Sequence, residues 1–313
     1  KYSRLRRGNW GVNGREKRVS RETMMSSYST ITTAMVQKTR AREAALGLED
    51  KTCHSRFFLH PHPTDKVILF FHGFTAVPAQ FVPIGEAFFK AGYNVLIPRL
   101  PGHGIAGNWG RKNPPPLPEH QVIYQEFGLS WLEQARELGE KVVVGGLSGG
   151  STLAAWLALE CPQEIDRALL FAPYFSNSNK VVDWVVQWFN FYFKWRTPSR
   201  AVNFGYEGFY MPALRLFLEM GRDVLKRAKT SLAAPMLIVS SECDRAVGKH
   251  DHEALFQAAL KFQPRCWHLW FDKTLNIPHN MMTKAEGNQY QDLLFAIALA
   301  YVENKHLSLA EVK

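Results

Sequence analysis

A single serine stands among four glycines in the stretch VVVGGLSGGSTLAAW, at residues 142–156. Ser148 has one glycine two residues before it and another two residues after it, and it follows an apolar run and precedes a helical pattern. In so tight a turn from strand to helix, side chains at Gly146 and Gly150 would collide with their surroundings, while the serine hydroxyl projects from the bend. The pattern favours a nucleophilic serine over a plain glycine turn.

A serine hydroxyl becomes a nucleophile only beside a base, and the chain offers eleven histidines as candidates. His279, in the segment NIPHN, follows the last predicted strand and precedes the last predicted helix, so we expect it at the carboxyl edge of the sheet. We therefore predict that His279 is the base. His250 and His252, at the predicted start of a helix, are the alternatives.

A base of this kind needs a carboxylate to orient it, and the segment MLIVSSECDRAV supplies one after a predicted strand. Asp244 is predicted to be this acid, and Glu242 is the nearer but less usual alternative. The loop after Phe171, APYFSNSNK, has no carboxylate before Asp183, which further favours Asp244. The order along the chain is then serine, aspartate, histidine.

Negative charge develops on the carbonyl oxygen during acyl transfer, and backbone N–H groups commonly stabilise it. The segment FFHGF comes at the end of a predicted buried strand and ends at Phe74. We predict that the N–H groups of Phe74 and Gly149 point to one spot, where each is worth about 10²–10³ in rate. The helix after Ser148 adds the positive end of its dipole.

Short apolar runs without polar alternation predict parallel strands that are buried on both faces. These runs are 93–98, 142–144, 168–171, 235–239 and 266–271. Helical spacing of apolar residues occurs at 78–90, 122–138, 151–160, 250–262 and 288–303, and more weakly at 21–48. The alternation predicts an α/β fold with a mostly parallel sheet. Residues 56–59 and 66–71 flank the turn HPHPTD and are predicted to form a hairpin at the antiparallel edge of that sheet.

An unusually aromatic segment interrupts this alternation. Residues 174–210 hold thirteen aromatic residues in thirty-seven positions, against 13% in the whole chain. A helix with a wide apolar face is predicted from Val181 to Trp195, and such a helix should be covered on more than one side. Two interpretations stay open. The segment is ordinary core, or it is a cap whose inner face lines an apolar substrate cleft.

The net charge of +10 is concentrated at the start of the chain. Residues 1–45 hold eleven Lys/Arg and three Glu, or +8, whereas the other 268 residues hold 27 basic and 25 acidic residues, or +2. This basic arm is predicted to be a solvated or partly disordered leader or, alternatively, a contact to an anionic membrane surface or another polyanion. It lacks the interleaved aromatic residues that favour nucleic acid as a partner.

Four widely spaced cysteines without a C-x-x-C pair predict neither a zinc site nor a disulfide framework. No run of eighteen uncharged apolar residues occurs, so no membrane-spanning helix is predicted. We expect a chain that needs no metal or cofactor. A cytoplasmic location is favoured, with association to a membrane surface through residues 1–45 as the alternative.

The segments that carry this chemistry resemble, in content and order, those of the α/β-hydrolase superfamily. The resemblance covers roughly Ser55 to Glu303 and rests on HGF at 72–74, LPGHG at 100–104, GLSGG at 146–150, SECDRAV at 241–247 and IPHN at 277–280. Within the superfamily the chain most resembles carboxylesterases and monoacylglycerol-lipase-like enzymes, which share HGF and PGHG. Two features depart from the family pattern: Arg99, where many relatives have Asp, and the basic arm. His103 is interpreted as a packing residue of its loop.

The resemblance implies that Ser148 is the nucleophile, Asp244 the acid and His279 the base. It implies that the backbone N–H groups of Phe74 and Gly149 bind the oxyanion. It also implies an eight-stranded sheet with a helical cap inserted after the sixth strand.

The chain is predicted to divide into a basic arm with a helical segment, a hydrolase core in two segments and an aromatic cap, at 1–52, 53–174 with 231–313, and 175–230. The predicted activity is cleavage of carboxylic esters with apolar or lipid-like acyl groups, through an acyl-enzyme on the serine. Trp184, Trp188 and Tyr192 of the cap are predicted to contact the substrate.

Three alternatives to ester hydrolysis stay open on the same residues. The triad would equally serve an acyltransferase, or a thioesterase or amidase, and a non-catalytic ligand-binding protein of this fold is the third possibility. A serine at the bend argues against dehalogenase or epoxide hydrolase activity. Enzymes with these activities resemble this fold but have an aspartate at the bend.

Overall fold

The computed structural model describes residues 14–195 and 204–304, with the side chains of the first helix described from residue 25. The helices are α1 (Gly14–Ala44), α2 (Val82–Lys90), α3 (Gln121–Arg136), α4 (Gly149–Glu160), α5 (Lys180–Trp188), α6 (Met211–Arg227), α7 (Lys249–Leu260) and α8 (Gln291–Glu303). The strands are β1 (Arg56–Phe58), β2 (Lys66–Phe71), β3 (Asn94–Ile97), β4 (Lys141–Leu147), β5 (Arg167–Phe171), β6 (Tyr192–Lys194), β7 (Gly208–Tyr210), β8 (Met236–Ser241) and β9 (Trp267–Phe271).

Seven of these strands form one sheet in the order β1-β3-β2-β4-β5-β8-β9. β1 pairs antiparallel with β3, and every other neighbouring pair in this sheet is parallel. The central strands are buried on both faces, as the uninterrupted apolar runs in β2, β4 and β5 require. The predicted α/β fold with a mostly parallel sheet is confirmed. Because parallel strands end at the same edge, the residues that follow β2, β4 and β8 come together.

The predicted hairpin between β1 and β2 is wrong. β3 lies between them, since Phe57 pairs with Leu96 and Leu96 pairs in turn with Leu69 of β2. The segment that follows β1 therefore crosses over β3 instead of making a tight turn. The placement of β1 at the antiparallel edge is correct.

Two further expectations about the sheet need correction. The described residues contain seven strands of this sheet rather than eight, because the chain before β1 forms the helix α1 and not a strand. β9 was expected to be buried on both faces, but Trp267 and Trp270 are 48% and 42% exposed. β9 lies at the end of the sheet and has β8 as its neighbour on one side.

The helical part of the predicted basic arm packs against the core. Tyr28 and Met35 are buried, and the hydroxyl of Tyr28 donates to Oδ1 of Asn94 at 3.1 Å. From residue 25 onwards α1 is therefore not a solvated leader. Residues 1–13 of the arm lie outside the described residues. No helix in the described ranges is long and apolar enough to cross a membrane.

The aromatic segment lies between β5 and β8, after the fifth strand in chain order rather than the sixth. The prediction that this helix runs to Trp195 is wrong, because α5 ends at Trp188 and Phe189 has an extended backbone (φ −113°, ψ 140°). Beyond it β6 pairs antiparallel with β7. Aromatic side chains favour strands as well as apolar helix faces, so their spacing did not decide between the two. Residues 196–203 of this segment lie outside the described residues.

The apolar face of α5 faces outwards instead of packing into core. Val181, Trp184 and Trp188 are 64%, 56% and 70% exposed, while Val186 on the other side is buried. The expectation that this face is covered on more than one side is therefore wrong for the part of the chain that the structure describes.

Candidate active site

Ser148 stands at a strained turn between β4 and α4. Its backbone has φ 55° and ψ −118°, a region that residues with a Cβ rarely adopt, and it directly precedes the first residue of α4. A Cβ on Gly146 would lie 2.4 Å from the backbone carbon of Gly150, and a Cβ on Gly150 would lie 2.3 Å from the carbonyl oxygen of Phe71. Both clashes are with backbone atoms. Glycine at these two positions is what allows the strained serine to be held at the bend.

His279 and Asp244 form a short hydrogen bond. Nδ1 of His279 lies 2.7 Å from Oδ2 of Asp244, whose other oxygen accepts from the N–H groups of Ala246 and Val247. An N–H at Nδ1 donates to the carboxylate, which leaves the lone pair of a neutral ring on Nε2. The loop after β8 and the loop after β9 thus combine a base with the group that orients it.

The two groups shift each other's pKa in opposite directions. Burial lowers the pKa of His279, but the charge and hydrogen bond of Asp244, with the charge of Glu286, raise it by more, so the net pKa lies above 6.5. Burial raises the pKa of Asp244, but His279 and two backbone N–H donors lower it by more, so the net pKa lies below 3.8. Asp244 is therefore an anion throughout the neutral range and stabilises a proton on His279.

The alternative base and acid have other partners. His252 is buried, with Nε2 2.7 Å from the carbonyl oxygen of Pro173, and burial lowers its pKa to about 4. Glu242 accepts from the indole N–H of Trp270 at 3.1 Å and lies outside the cavity of Ser148. His250 is exposed at the start of α7. The structure brings together His279 and Asp244, and not these alternatives.

Ser148 and His279 line the same cavity, which has a volume of about 490 Å³. Phe74 and Gly149, whose N–H groups were predicted to bind the oxyanion, line it as well. Apolar side chains supply one part of the wall, from Val182, Trp195, Phe204, Leu214 and Val247. Polar side chains supply another, from Asn177, Ser178, Arg245, Asn280 and Glu286. Apolar and polar side chains therefore both line the cavity.

Two neutral histidines hold the loop that carries Phe74. The N–H of Thr75, a residue with φ 66°, donates to Nε2 of His103 at 3.1 Å, and the N–H of Leu100 donates to Nε2 of His72 at 3.0 Å. Burial lowers the pKa of His103 to about 4 and that of His72 well below 6.5, so each ring keeps the lone pair that accepts these bonds. His103 is indeed buried in its loop, and it also fixes the backbone beside Phe74.

The sequence analysis missed two buried polar residues of this cavity. Oε1 of Gln80 accepts from the N–H of Gly73 at 2.8 Å, and Nε2 of Gln80 donates to Oε1 of Glu286 at 2.6 Å. The one local signal was a glutamine in the otherwise apolar stretch PAQFVPIG. Its partner is 206 positions away, so local spacing gave no indication of the pair.

The three cap residues predicted to contact substrate are not brought to Ser148. Trp184 and Trp188 line a separate surface depression beside Arg222, and Tyr192 lines another beside Trp109. The cause is the outward orientation of α5 and the strand that replaces its predicted continuation. Other residues of the same aromatic segment, among them Val182, Trp195 and Phe204, line the cavity of Ser148 instead.

A family model described as the alpha/beta hydrolase fold matches residues 66–277. The chain belongs to the α/β-hydrolase family. The matched range includes Ser148 and Asp244 and ends just before His279.

One curated relative of this α/β hydrolase is a thermostable monoacylglycerol lipase of Bacillus sp. (strain H-257). It is 38% identical over 95 residues, which make up 30% of this chain and 36% of the relative. The match thus spans about a third of that lipase's length.

Solved structures resemble the hydrolase over most of its length. A monoacylglycerol lipase of Paleococcus ferrophilus superposes with a TM-score of 0.63 at 16% identity, covering 80% of this chain and 99% of that one. A soluble variant of the monoglyceride lipase of Saccharomyces cerevisiae, in complex with a substrate analogue, gives a TM-score of 0.63 at 12% identity, covering 81% and 91%. At these identities the likeness establishes the fold.

Proposed function

We propose that this α/β hydrolase cleaves carboxylic esters through an acyl-enzyme on Ser148. One observation carries the proposal: His279, hydrogen-bonded to Asp244, lines the same cavity as a serine held in a strained turn. Base, orienting acid and nucleophile are the three groups that serine acyl transfer requires.

In the first half-reaction Nε2 of His279 takes the proton of the Ser148 hydroxyl as Oγ bonds to the ester carbonyl carbon. The carbonyl electron pair moves to oxygen and gives a tetrahedral oxyanion. The N–H groups of Phe74 and Gly149 are proposed to donate to that oxygen, at the start of α4 where the helix dipole is positive. Collapse of this intermediate breaks the bond to the alcohol oxygen, which receives the proton from His279 and leaves as the free alcohol.

In the second half-reaction a water molecule takes the place of the alcohol. His279 accepts a proton from the water as the water oxygen bonds to the acyl carbon. The second tetrahedral intermediate then releases the acid and returns the proton to Oγ of Ser148. The raised pKa of His279 suits both steps, because the ring must hold a proton between accepting it and giving it back.

The apolar side chains on the cavity wall support an apolar acyl group in the preferred substrate. Val182, Leu214 and Val247 lie on its wall, and each methylene removed from water contributes about 0.8 kcal/mol. The polar side chains on the wall support an alcohol portion with hydroxyl groups. The names of the similar proteins, monoacylglycerol and monoglyceride lipases, agree with a lipid-like ester of this kind.

A screen of acyl chain and leaving group tests the proposal. Nitrophenyl esters from acetate to palmitate and the matching monoacylglycerols are assayed with the wild-type protein and with Ser148→Ala. We expect hydrolysis that rises beyond butyrate and is lost in the variant. If the rate peaked at acetate and vanished beyond butyrate, the result would contradict the proposed preference for an apolar acyl group.

Two controls separate the remaining alternatives. A fluorophosphonate probe should label the wild-type protein and leave Ser148→Ala unlabelled, whereas a non-catalytic binding protein would label in neither. Addition of a simple alcohol, with product analysis, distinguishes transfer to water from transfer to alcohol. Predominant formation of a new ester would identify an acyltransferase.

A further inference from the structure

A chain of buried hydrogen bonds connects the loop of Phe74 with the loop of His279. It runs from the N–H of Gly73 to Gln80, and from Gln80 to Oε1 of Glu286. Oε2 of Glu286 then accepts from the hydroxyl of Thr283 at 2.9 Å. Gln80, Thr283 and Glu286 are 2%, 5% and 7% exposed. This chain of hydrogen bonds is therefore shielded from solvent.

The donors and acceptors of this chain permit one orientation of the glutamine. The N–H of Gly73 can only donate, so the amide of Gln80 must turn its oxygen towards Gly73. Its NH₂ group then faces Glu286, which accepts as a carboxylate. Rotating the amide would leave a buried N–H of Gly73 facing another N–H, at a cost that excludes this orientation.

The two ends of this hydrogen-bond chain are close in sequence to the proposed reacting groups. Gly73 directly precedes Phe74, whose N–H is the proposed oxyanion donor. Thr283 follows His279 by four residues, in the loop that leads to α8. Gln80 belongs to a separate short turn, Pro78–Phe81, ahead of α2. These hydrogen bonds thus connect two loops that are distant in sequence, since Gln80 and Glu286 are 206 positions apart.

We propose that Gln80 and Glu286 are positioning residues that set the oxyanion donor at Phe74 against the base at His279. The inference rests on the proposed function, because it assigns roles relative to that reaction. Oxyanion donors are effective only within a few tenths of an ångström of their position, so loss of this register lowers kcat more than it raises KM.

The nature of Glu286 supports this role. Burial raises its pKa to about 7, even though Gln80, Thr283 and the charge of His279 all lower it. A buried carboxylate is a costly way to fill space, since an apolar side chain of the same volume is commonly as stable or more stable. This carboxyl group does what an apolar side chain cannot do: it accepts from Gln80 and, in its ionised form, raises the pKa of His279.

Exchanging the two side chains tests the proposal. Gln80→Glu keeps an acceptor for Gly73 but sets two carboxylates against each other. The double variant Gln80→Glu/Glu286→Gln restores an amide-to-carboxylate pair with its polarity reversed. Glu286→Gln alone removes the charge and serves as the third corner of the cycle. For all four proteins we measure kcat and KM on one nitrophenyl ester, the melting temperature, and hydrogen exchange of residues 72–77.

We expect Gln80→Glu to lower kcat by about 10–100-fold with little change in KM, and the double variant to recover at least about tenfold of this loss. Exchange of residues 72–77 should be faster in Gln80→Glu and return towards wild type in the double variant. A double variant as slow as Gln80→Glu, with a wild-type melting temperature, would overturn the proposal. So would an effect confined to KM.

Failure of the proposed function gives a different result. In that case the wild-type protein neither turns over esters nor reacts with a fluorophosphonate. The exchange measurement then tests the link by itself, because it does not depend on turnover. Equal exchange of residues 72–77 in all four proteins would overturn the positioning role whether or not the chain is an esterase.

Discussion

Oε1 of Glu43, near the end of α1, lies 3.8 Å from Nε of Arg99 in the loop after β3. The same carboxylate accepts hydrogen bonds from the N–H and hydroxyl of Ser55. Arg99 in turn donates to the carbonyl oxygen of His103 at 2.8 Å. The arginine that departs from the family pattern thus has a counter-ion from the helix that the minimal fold lacks.

Glu43→Gln is expected to destabilise the whole chain. The two side chains of the pair are 4% and 10% exposed, and removal of one charge leaves Arg99 buried without compensation. Breaking a buried pair of this kind costs about 3 kcal/mol or more. Urea unfolding monitored by tryptophan fluorescence measures the change.

The control for Glu43 is an exposed ion pair of the same protein. Arg136 and Glu164 lie 2.7 Å apart, with side chains that are 55% and 39% exposed. Glu164→Gln should cost less than about 1 kcal/mol, because solvent screens such a pair. Equal losses of unfolding free energy in Glu43→Gln and Glu164→Gln would show that the buried charge of Glu43 does not stabilise the packing of α1.

The pH dependence of kcat/KM should report His279. Its pKa is raised above 6.5, and the reaction needs the neutral ring, so activity falls as the pH drops through this raised pKa. Asp244→Asn removes the charge that raises the pKa and leaves the burial that lowers it. The acid limb should therefore move to lower pH while kcat falls by about 10³–10⁴-fold. A pH–rate series on both proteins measures the two effects.

His252, a buried histidine outside the proposed triad, serves as the control for this assignment. The pKa of His252 is about 4, far below the expected limb. His252→Gln should therefore leave the position of the acid limb unchanged. An acid limb that stays in place in Asp244→Asn would contradict the assignment of His279 as the titrating base.

The turn at Ser148 should tolerate no side chain at Gly150. A Cβ there would lie 2.3 Å and 2.4 Å from the carbonyl oxygens of Phe71 and His72, and backbone atoms cannot rotate away. We expect Gly150→Ala to abolish activity or folding. Gly110→Ala is the matched control, because no atom lies within 4 Å of its added Cβ. Fluorophosphonate labelling and circular dichroism distinguish a disturbed site from an unfolded chain, and full labelling of Gly150→Ala would contradict the steric argument.

The parts of the fold that were predictable are those that depend on local pattern. The glycines around Ser148 are a steric requirement of one turn, and the buried strands β2 to β5 are continuous apolar runs, so both are visible in short windows. Strand neighbours are not local. β1 pairs with β3 and not with β2, although β2 is the next strand along the chain. The prediction of a helix through Trp195 failed because aromatic residues at helical spacing also fit a pair of short antiparallel strands.

The predicted site was incomplete for the same reason. Motifs suggested the serine, acid and histidine, each of which follows its own strand. The partnership of Gln80 and Glu286 arises only when the sheet brings the loops after β2 and β9 together. A lone glutamine in an apolar turn has no chemical meaning until its donor and acceptor are known.

Acyl-chain preference should depend on Leu214 and not on Trp188. Leu214 of α6 lies on the apolar wall of the cavity, so Leu214→Trp takes up part of its 490 Å³. A long acyl chain loses contacts that a short one never makes, and the ratio of kcat/KM for decanoate over butyrate should fall by about tenfold or more.

Trp188 is 70% exposed and lies outside this cavity, so Trp188→Ala should leave the ratio within about twofold, the scale of an exposed substitution. Nitrophenyl esters of both acids measure the ratios. If Trp188→Ala lowers the ratio and Leu214→Trp does not, the acyl chain lies along the outer face of α5 instead of in the cavity.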